Sequence, residues 1–175
     1  MTGVQTCALP IYSVHAPIVK TAAYKLKQVL GESAVVAYEE KLIPNEKCTK
    51  VDPRTDIKIT NIITGKAKLV DFTFPTIKEE ATDSNSTVMM AEESKQKFYL
   101  ENYVLGDADV VPAVIDTYGR WGEAFKNLVK QVSRNASRNE RDYTLVVSDL
   151  RATMAVTHVR SIGKQMSVFL GHHLY

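Results

Sequence analysis

RTDIKITNIITGKAKLVDFTFP, residues 54–75, decides the fold. Two runs rich in β-branched and apolar residues flank a turn signal centred on Thr64 and Gly65, the pattern of a β-hairpin. Each predicted strand carries a carboxylate, Asp56 on the first and Asp71 on the second, with fourteen residues between them. Aspartate is depleted in strands because its short polar side chain packs poorly on a half-buried sheet.

A loop with an even number of residues near Ile63–Gly65 pairs residues whose numbers sum to an odd value, as 56 and 71 do, and so places both carboxylates on one face. A four-residue loop, Ile62–Gly65, sets them directly opposite at roughly 5 Å between Cβ atoms. A two-residue Thr64-Gly65 turn makes them diagonal, about 7–8 Å apart. Either spacing suits one hard divalent cation, since Mg²⁺ accepts one or two carboxylates and keeps water on its remaining positions. The plainer reading is two solvent-facing aspartates. Against it stand Val70, Phe72, Phe74 and Pro75, which surround Asp71 with apolar groups, where an unpaired charge is costly.

Upstream of the hairpin, Val19, Ala22, Ala23, Leu26, Val29 and Leu30 recur at helical spacing over Ala16–Leu30, with Pro17 in the first turn and Gly31 at the end. SAVVAYEEKLI (33–43) reads as a strand and PNEKCTKVDPR (44–54) as a loop. Downstream, PTIKEEATDSNST (75–87) reads as a polar, flexible connection. A second helix follows over 88–105, its apolar surface assigned to Met89, Met90, Phe98, Leu100 and Tyr103. ADVVPAVIDTYG (108–119) reads as a buried strand, a third helix runs from about Trp121 to Val132 or beyond, and residues 140–170 form one or two more. The expected order is α-β-β-β-α-β-α plus C-terminal helices, a compact α/β domain. Its sheet is mixed: the hairpin is antiparallel, whereas the strand reached through a helix can be parallel.

Composition sets limits on function. The 175 residues are 45% hydrophobic, enough for one core, and no apolar run is long enough to span a membrane. A net charge of +2 excludes a generally basic nucleic-acid binder, yet from Tyr118 onward nine Lys and Arg face four Asp and Glu. Two cysteines, Cys7 and Cys48, give neither a disulfide framework nor zinc-ligand spacing, so a reducing compartment is the default. Residues 1–11, MTGVQTCALPI, match a translated sequencing-library adapter and are set aside as a scar. The natural protein is therefore expected to extend further toward its N-terminus. The rest divides into a domain at 12–140 and a helical extension of it at 141–175.

Taken together, RTDIKI, KLVDFTFP, ESKQKFY and DVVPAVIDTYGRWG, in this order, resemble the restriction-like endonuclease domain of site-specific non-LTR retrotransposons, a branch of the PD-(D/E)XK nucleases. The resemblance covers roughly His15–Val132. It implies a restriction-endonuclease-like core and a Mg²⁺-dependent enzyme that nicks double-stranded DNA at a retrotransposon target site. In the full polyprotein an upstream reverse transcriptase and its RNA would be partners, and the setting would be nuclear, with no membrane.

Carried over by position, Asp56 and Asp71 are the metal-binding acids, and Lys95, with Tyr99 four residues on, opens the helix motif. Thr55 stands where the family has proline, Thr73 where a typical (D/E)XK nuclease has lysine, and Phe98 where the helix motif has its second lysine. Lys97 and Lys58 stay open as alternative lysines. Glu39 or Glu40 could add an outer ligand, although a solvated strand end is the plainer reading. Lys126, Lys130, Arg134 and Arg138 recur every four residues beside the apolar side Phe125, Leu128, Val129 and Val132, a stripe that could neutralise phosphates or simply be solvated. A catalytically inactive relic that only binds DNA or serves structurally is the alternative.

Overall fold

The computed structural model describes residues 12–50, 52–75 and 84–173. The adapter-like segment and residues 76–83 of the polar connection lie outside the described residues. In chain order the elements are α1 (Tyr12–Leu30), β1 (Ala34–Lys41), β2 (Arg54–Asn61), β3 (Ala67–Thr73), α2 (Ser84–Asn102), β4 (Asp109–Val114), α3 (Glu123–Ala136) and α4 (Glu140–His173). The expected order holds, with the C-terminal segment as one helix. Strands lie in the order β1-β2-β3-β4, the first two pairings antiparallel and β3-β4 parallel, because α2 carries the chain across before β4 begins. The protein is thus a mixed α/β fold, a four-stranded mixed sheet flanked by helices.

Strand alternation sorts the side chains into two layers. Ile57, Ile59, Val70, Phe72, Val111 and Ala113 face the main core, which α1, α3 and α4 cover with Ile18, Val19, Leu26, Phe125, Leu128, Leu150 and Met154. On the other face Leu69 joins Tyr99 of α2 and Tyr103, just past its end, in a smaller cluster. Asp71 shares the parity of Leu69 and so belongs to the α2 face. α1 starts at Tyr12 rather than Ala16, which puts Pro17 inside the helix. Pro17 then lacks the N–H that would bond four residues back, a loss confined to the first turns.

The apolar face assigned to α2 is corrected in part: Phe98 and Tyr103 do pack in the smaller cluster. Met89, Met90 and Leu100 are exposed, and the inward stripe is Val88, Glu92, Lys95, Tyr99 and Tyr103, spaced by three or four residues. Two positions of that stripe are charged, so hydrophobicity alone does not find it and adds the exposed Met89, Met90 and Leu100.

Glu92 has a structural task. Its Oε1 accepts the Ala124 N–H at 2.9 Å in the first turn of α3, whose N-cap, Gly122, has no side chain to do so. A Cβ at Gly122 would lie 2.2 Å from that same oxygen, so glycine leaves the room the carboxylate occupies. Glu92→Ala is expected to lower the unfolding free energy by about 0.5–2 kcal/mol, the range for losing an N-cap, and Glu92→Gln by less. Urea unfolding of the three proteins measures this, and equal midpoints would remove the capping role.

Candidate active site

The β2-β3 ladder runs from Thr60↔Ala67 to Ile57↔Val70, and the loop between the strands is the four-residue one, closed by Asn61 N–H to the Lys66 carbonyl at 3.0 Å. Asp56 and Asp71 are the next pair in this register, where backbone pairing stops. Side chains replace it. The Asp56 carboxylate accepts the Phe72 N–H at 2.7 Å through Oδ2, and the buried Thr55 hydroxyl donates to the Val70 carbonyl at 3.1 Å. Thr55 therefore supports the opened strand through its hydroxyl.

Asp71 is buried, 8% exposed, and forms an ion pair with Lys95 of α2. Its carboxyl is held above the usual range, first by burial and then by the negative charge and hydrogen bonding of Asp56, with Lys95 opposing the shift. The register sets the two carboxylates at opposed positions on one face of the sheet. Tyr99 of α2 is buried on the same face, and its pKa is pushed far up by burial and by the charge of Asp71.

His15, not singled out as a site residue in the sequence, reaches the pair from α1. Its Nε2 lies 3.1 Å from Asp56 Oδ2, the oxygen that also accepts the Phe72 N–H, and its ring meets Phe74 edge-on at 5.9 Å. The hydrogen bond to Asp56 raises the His15 pKa above 6.5, against the lowering effect of burial. Its only sequence signal is a polar residue on the buried stripe of α1, next to Val14 and in line with Val19 and Ala22.

The three lysines left open are separated by the structure. Lys95 alone meets a carboxylate of the pair; Lys58 bonds Glu40 at 3.3 Å, and Lys97 lies exposed 3.9 Å from Glu101 on its own helix. Glu40 is thereby occupied with Lys58. Glu39 holds the one positive φ among described non-glycine residues, 53°, at the point in β1 that faces Asp56 in register. Phe98 joins the ring cluster of Tyr99 and Tyr103, with the Lys50 ammonium 5.0 Å above it.

The basic stripe of α3 is not gathered at this site. α3 starts at the Asp71 end of the sheet, where Phe125 meets Phe72 at 5.2 Å, and runs back until Gln131 and Asn135 line a cleft with Asn61 and Thr64 of the hairpin loop. Lys126 sits in its first turn; Lys130, Arg134 and Arg138 lie successively further away. Lys126 and Lys130 approach Glu123 at 3.5 and 3.8 Å, and Arg134 lies 5.2 Å above the Tyr143 ring.

Among the described residues, no group of three His, Cys, Asp or Glu side chains is arranged to hold a metal. The carboxylates form a pair, which still fits Mg²⁺, because that ion takes one or two carboxylates and water for the rest. No helix among the described residues is long and apolar enough to cross a membrane. No protein-family model and no curated protein matches the chain.

Proposed function

We propose that the chain is a Mg²⁺-dependent DNA endonuclease domain that cuts by phosphodiester hydrolysis, of the restriction-like kind found in site-specific non-LTR retrotransposons. On this reading it nicks double-stranded DNA in the nucleus, downstream of a reverse transcriptase in a longer polyprotein. The observation that carries the reading is one constellation: Asp56 and Asp71 on adjacent strands at the point where their pairing opens, with Lys95 delivered to Asp71 by the next helix.

Asp56 and Asp71 would hold the cation. When bound, it would lower the pKa of a water and neutralise charge developing on the phosphate. The chain's own groups do the rest. Phe72 N–H and His15 fix one oxygen of Asp56, and burial keeps the Asp71 carboxyl in a medium where charges interact strongly. Lys95 is placed to orient the attacking water or to stabilise negative charge on the phosphate oxygens.

Plasmid nicking with Mg²⁺ tests the reading; salt-sensitive DNA binding with no cleavage under any divalent cation would instead identify the inactive relic. A separate expectation concerns His15. Groups that orient a metal-binding carboxylate typically contribute 10–100-fold in affinity, so His15→Ala is expected to weaken Mn²⁺ or Mg²⁺ binding by about that factor, and His15→Gln by less. Calorimetric titration of the metal alone reads this, and equal affinities would leave His15 a packing residue.

A further inference from the structure

A turn at the C-terminal end of β4 forms a second cationic surface. Thr73 pairs with Val114, so residues 116–122 leave the sheet at the same end as Asp71, just beyond it along the parallel strands. The turn is rigid. Asp116, fully buried, accepts the Tyr118 N–H at 2.8 Å, the Arg120 N–H at 2.9 Å and Arg120 Nε at 2.6 Å, and Gly119 takes the positive φ of 79° that the reversal requires. The Tyr118 ring projects from the tip, 79% exposed, with the Arg120 guanidinium 6.0 Å above it.

Between this turn and α4 lies a cleft lined by Gly119, Trp121, Lys126, Arg151 and Ala155. Arg151 is exposed and has no ion pair among the described residues. Lys126 shares only the exposed Glu123 at 3.5 Å. Trp121 meets Phe125 in a tilted contact at 5.0 Å, and Phe125 meets Phe72 edge-on at 5.2 Å, so aromatic packing ties the cleft to the residue after Asp71. A hydrogen-bonded turn and two cations line the cleft, and the exposed Tyr118 ring adjoins its lining residue Gly119, groups suited to a phosphate with a neighbouring base. An exposed ring beside the cations suits an unstacked base, which a single strand offers and an intact duplex does not.

We propose that this cleft holds an unpaired DNA segment flanking the cut, with Lys126 and Arg151 on a backbone phosphate and Tyr118 stacked on a base. The proposal rests on the reading of DNA as substrate. Cations that track the backbone and aromatics that stack on bases are the usual parts of a single-strand site.

The test is fluorescence anisotropy of a labelled oligothymidylate and of a blunt duplex in EDTA, across a series of NaCl concentrations, so that no cleavage intervenes. The Lys126→Ala/Arg151→Ala double variant is expected to lower the slope of log K against log salt for the single strand by about 0.7, the value for one phosphate no longer neutralised. Tyr118→Ala is expected to weaken single-strand binding by about 5- to 150-fold with an unchanged salt slope, the effect of removing one stacking platform. All three side chains reach the surface, and circular dichroism checks that each variant is folded. Wild-type slope and affinity in the double variant, or binding of the duplex alone, would overturn the proposal even if nicking is observed. Absence of Mg²⁺-dependent nicking by the wild type, alongside the expected shifts in the variants, would sink the nuclease reading and leave this surface standing.

Discussion

Asp71→Asn is expected to reduce Mg²⁺-dependent plasmid nicking to the level of a protein-free control while leaving the fold at least as stable as the wild type. The two effects separate because of where Asp71 lies. Its carboxyl is held above the usual range chiefly by burial, which means that folding disfavours the charged form. A neutral amide of the same shape removes that penalty. Lys95 loses its ion-pair partner, but its side chain is 27% exposed and can be solvated. The charge that opposes folding is the one a cation needs, so activity disappears where stability is kept or gained, the trade-off expected of a strained functional site. Lys95→Ala is expected to slow nicking by about 10²–10³-fold, the usual effect of removing one group that stabilises developing negative charge. Lys97→Ala and Lys58→Ala should leave the rate near wild type, since neither lysine meets the carboxylate pair. Equal nicking by the wild type and Asp71→Asn removes the assignment, and a melting temperature for Asp71→Asn well below wild type removes the stability claim.

Asp116→Ala is expected to give the largest loss of stability among the substitutions considered, about 3 kcal/mol or more. The substitution strips the acceptor from two backbone N–H groups in the 116–122 turn, each left unsatisfied at about 1–3 kcal/mol if it stays out of water, and releases the Arg120 guanidinium. The side chain is fully buried, so water does not readily replace it. Asp116→Asn keeps an acceptor for the backbone donors and is expected to retain a substantial part of the stability. Chemical denaturation of both variants measures the difference, and midpoints within error of wild type would show that the turn is held by its backbone bonds alone, such as Gly122 N–H to the Val114 carbonyl at 2.8 Å.

Element order is legible because it rests on local pattern. Alternation in residues 54–61 and 67–73, the Thr64-Gly65 turn and the helical spacing of Val19, Ala22 and Leu26 each specify a conformation within a few residues. Parity then carries the two aspartates to one face without any tertiary information, since the side-chain period of a strand is two. The same reasoning fails on α2. Its inward stripe includes Glu92 and Lys95, which turn inward because they have partners on α3 and β3, and no local signal announces a partner that lies 32 or 24 residues away. His15 escapes notice as a site residue for the same cause: its hydrogen bond with Asp56 spans 41 residues.

By itself, then, the sequence determined a mixed α/β order and a shared face for Asp56 and Asp71, because strand and helix periods are properties of consecutive residues. Only the tertiary structure decided that the four-residue loop sets the carboxylates directly opposite, that Lys95 rather than Lys58 or Lys97 reaches them, and that His15 fixes Asp56. It also placed the cationic stripe of α3 leading away from the site and the Arg151 cleft beside it. These are matters of which elements meet, and the free energy that brings them together comes from apolar surface buried between layers, which is non-directional and leaves no pattern at any one residue.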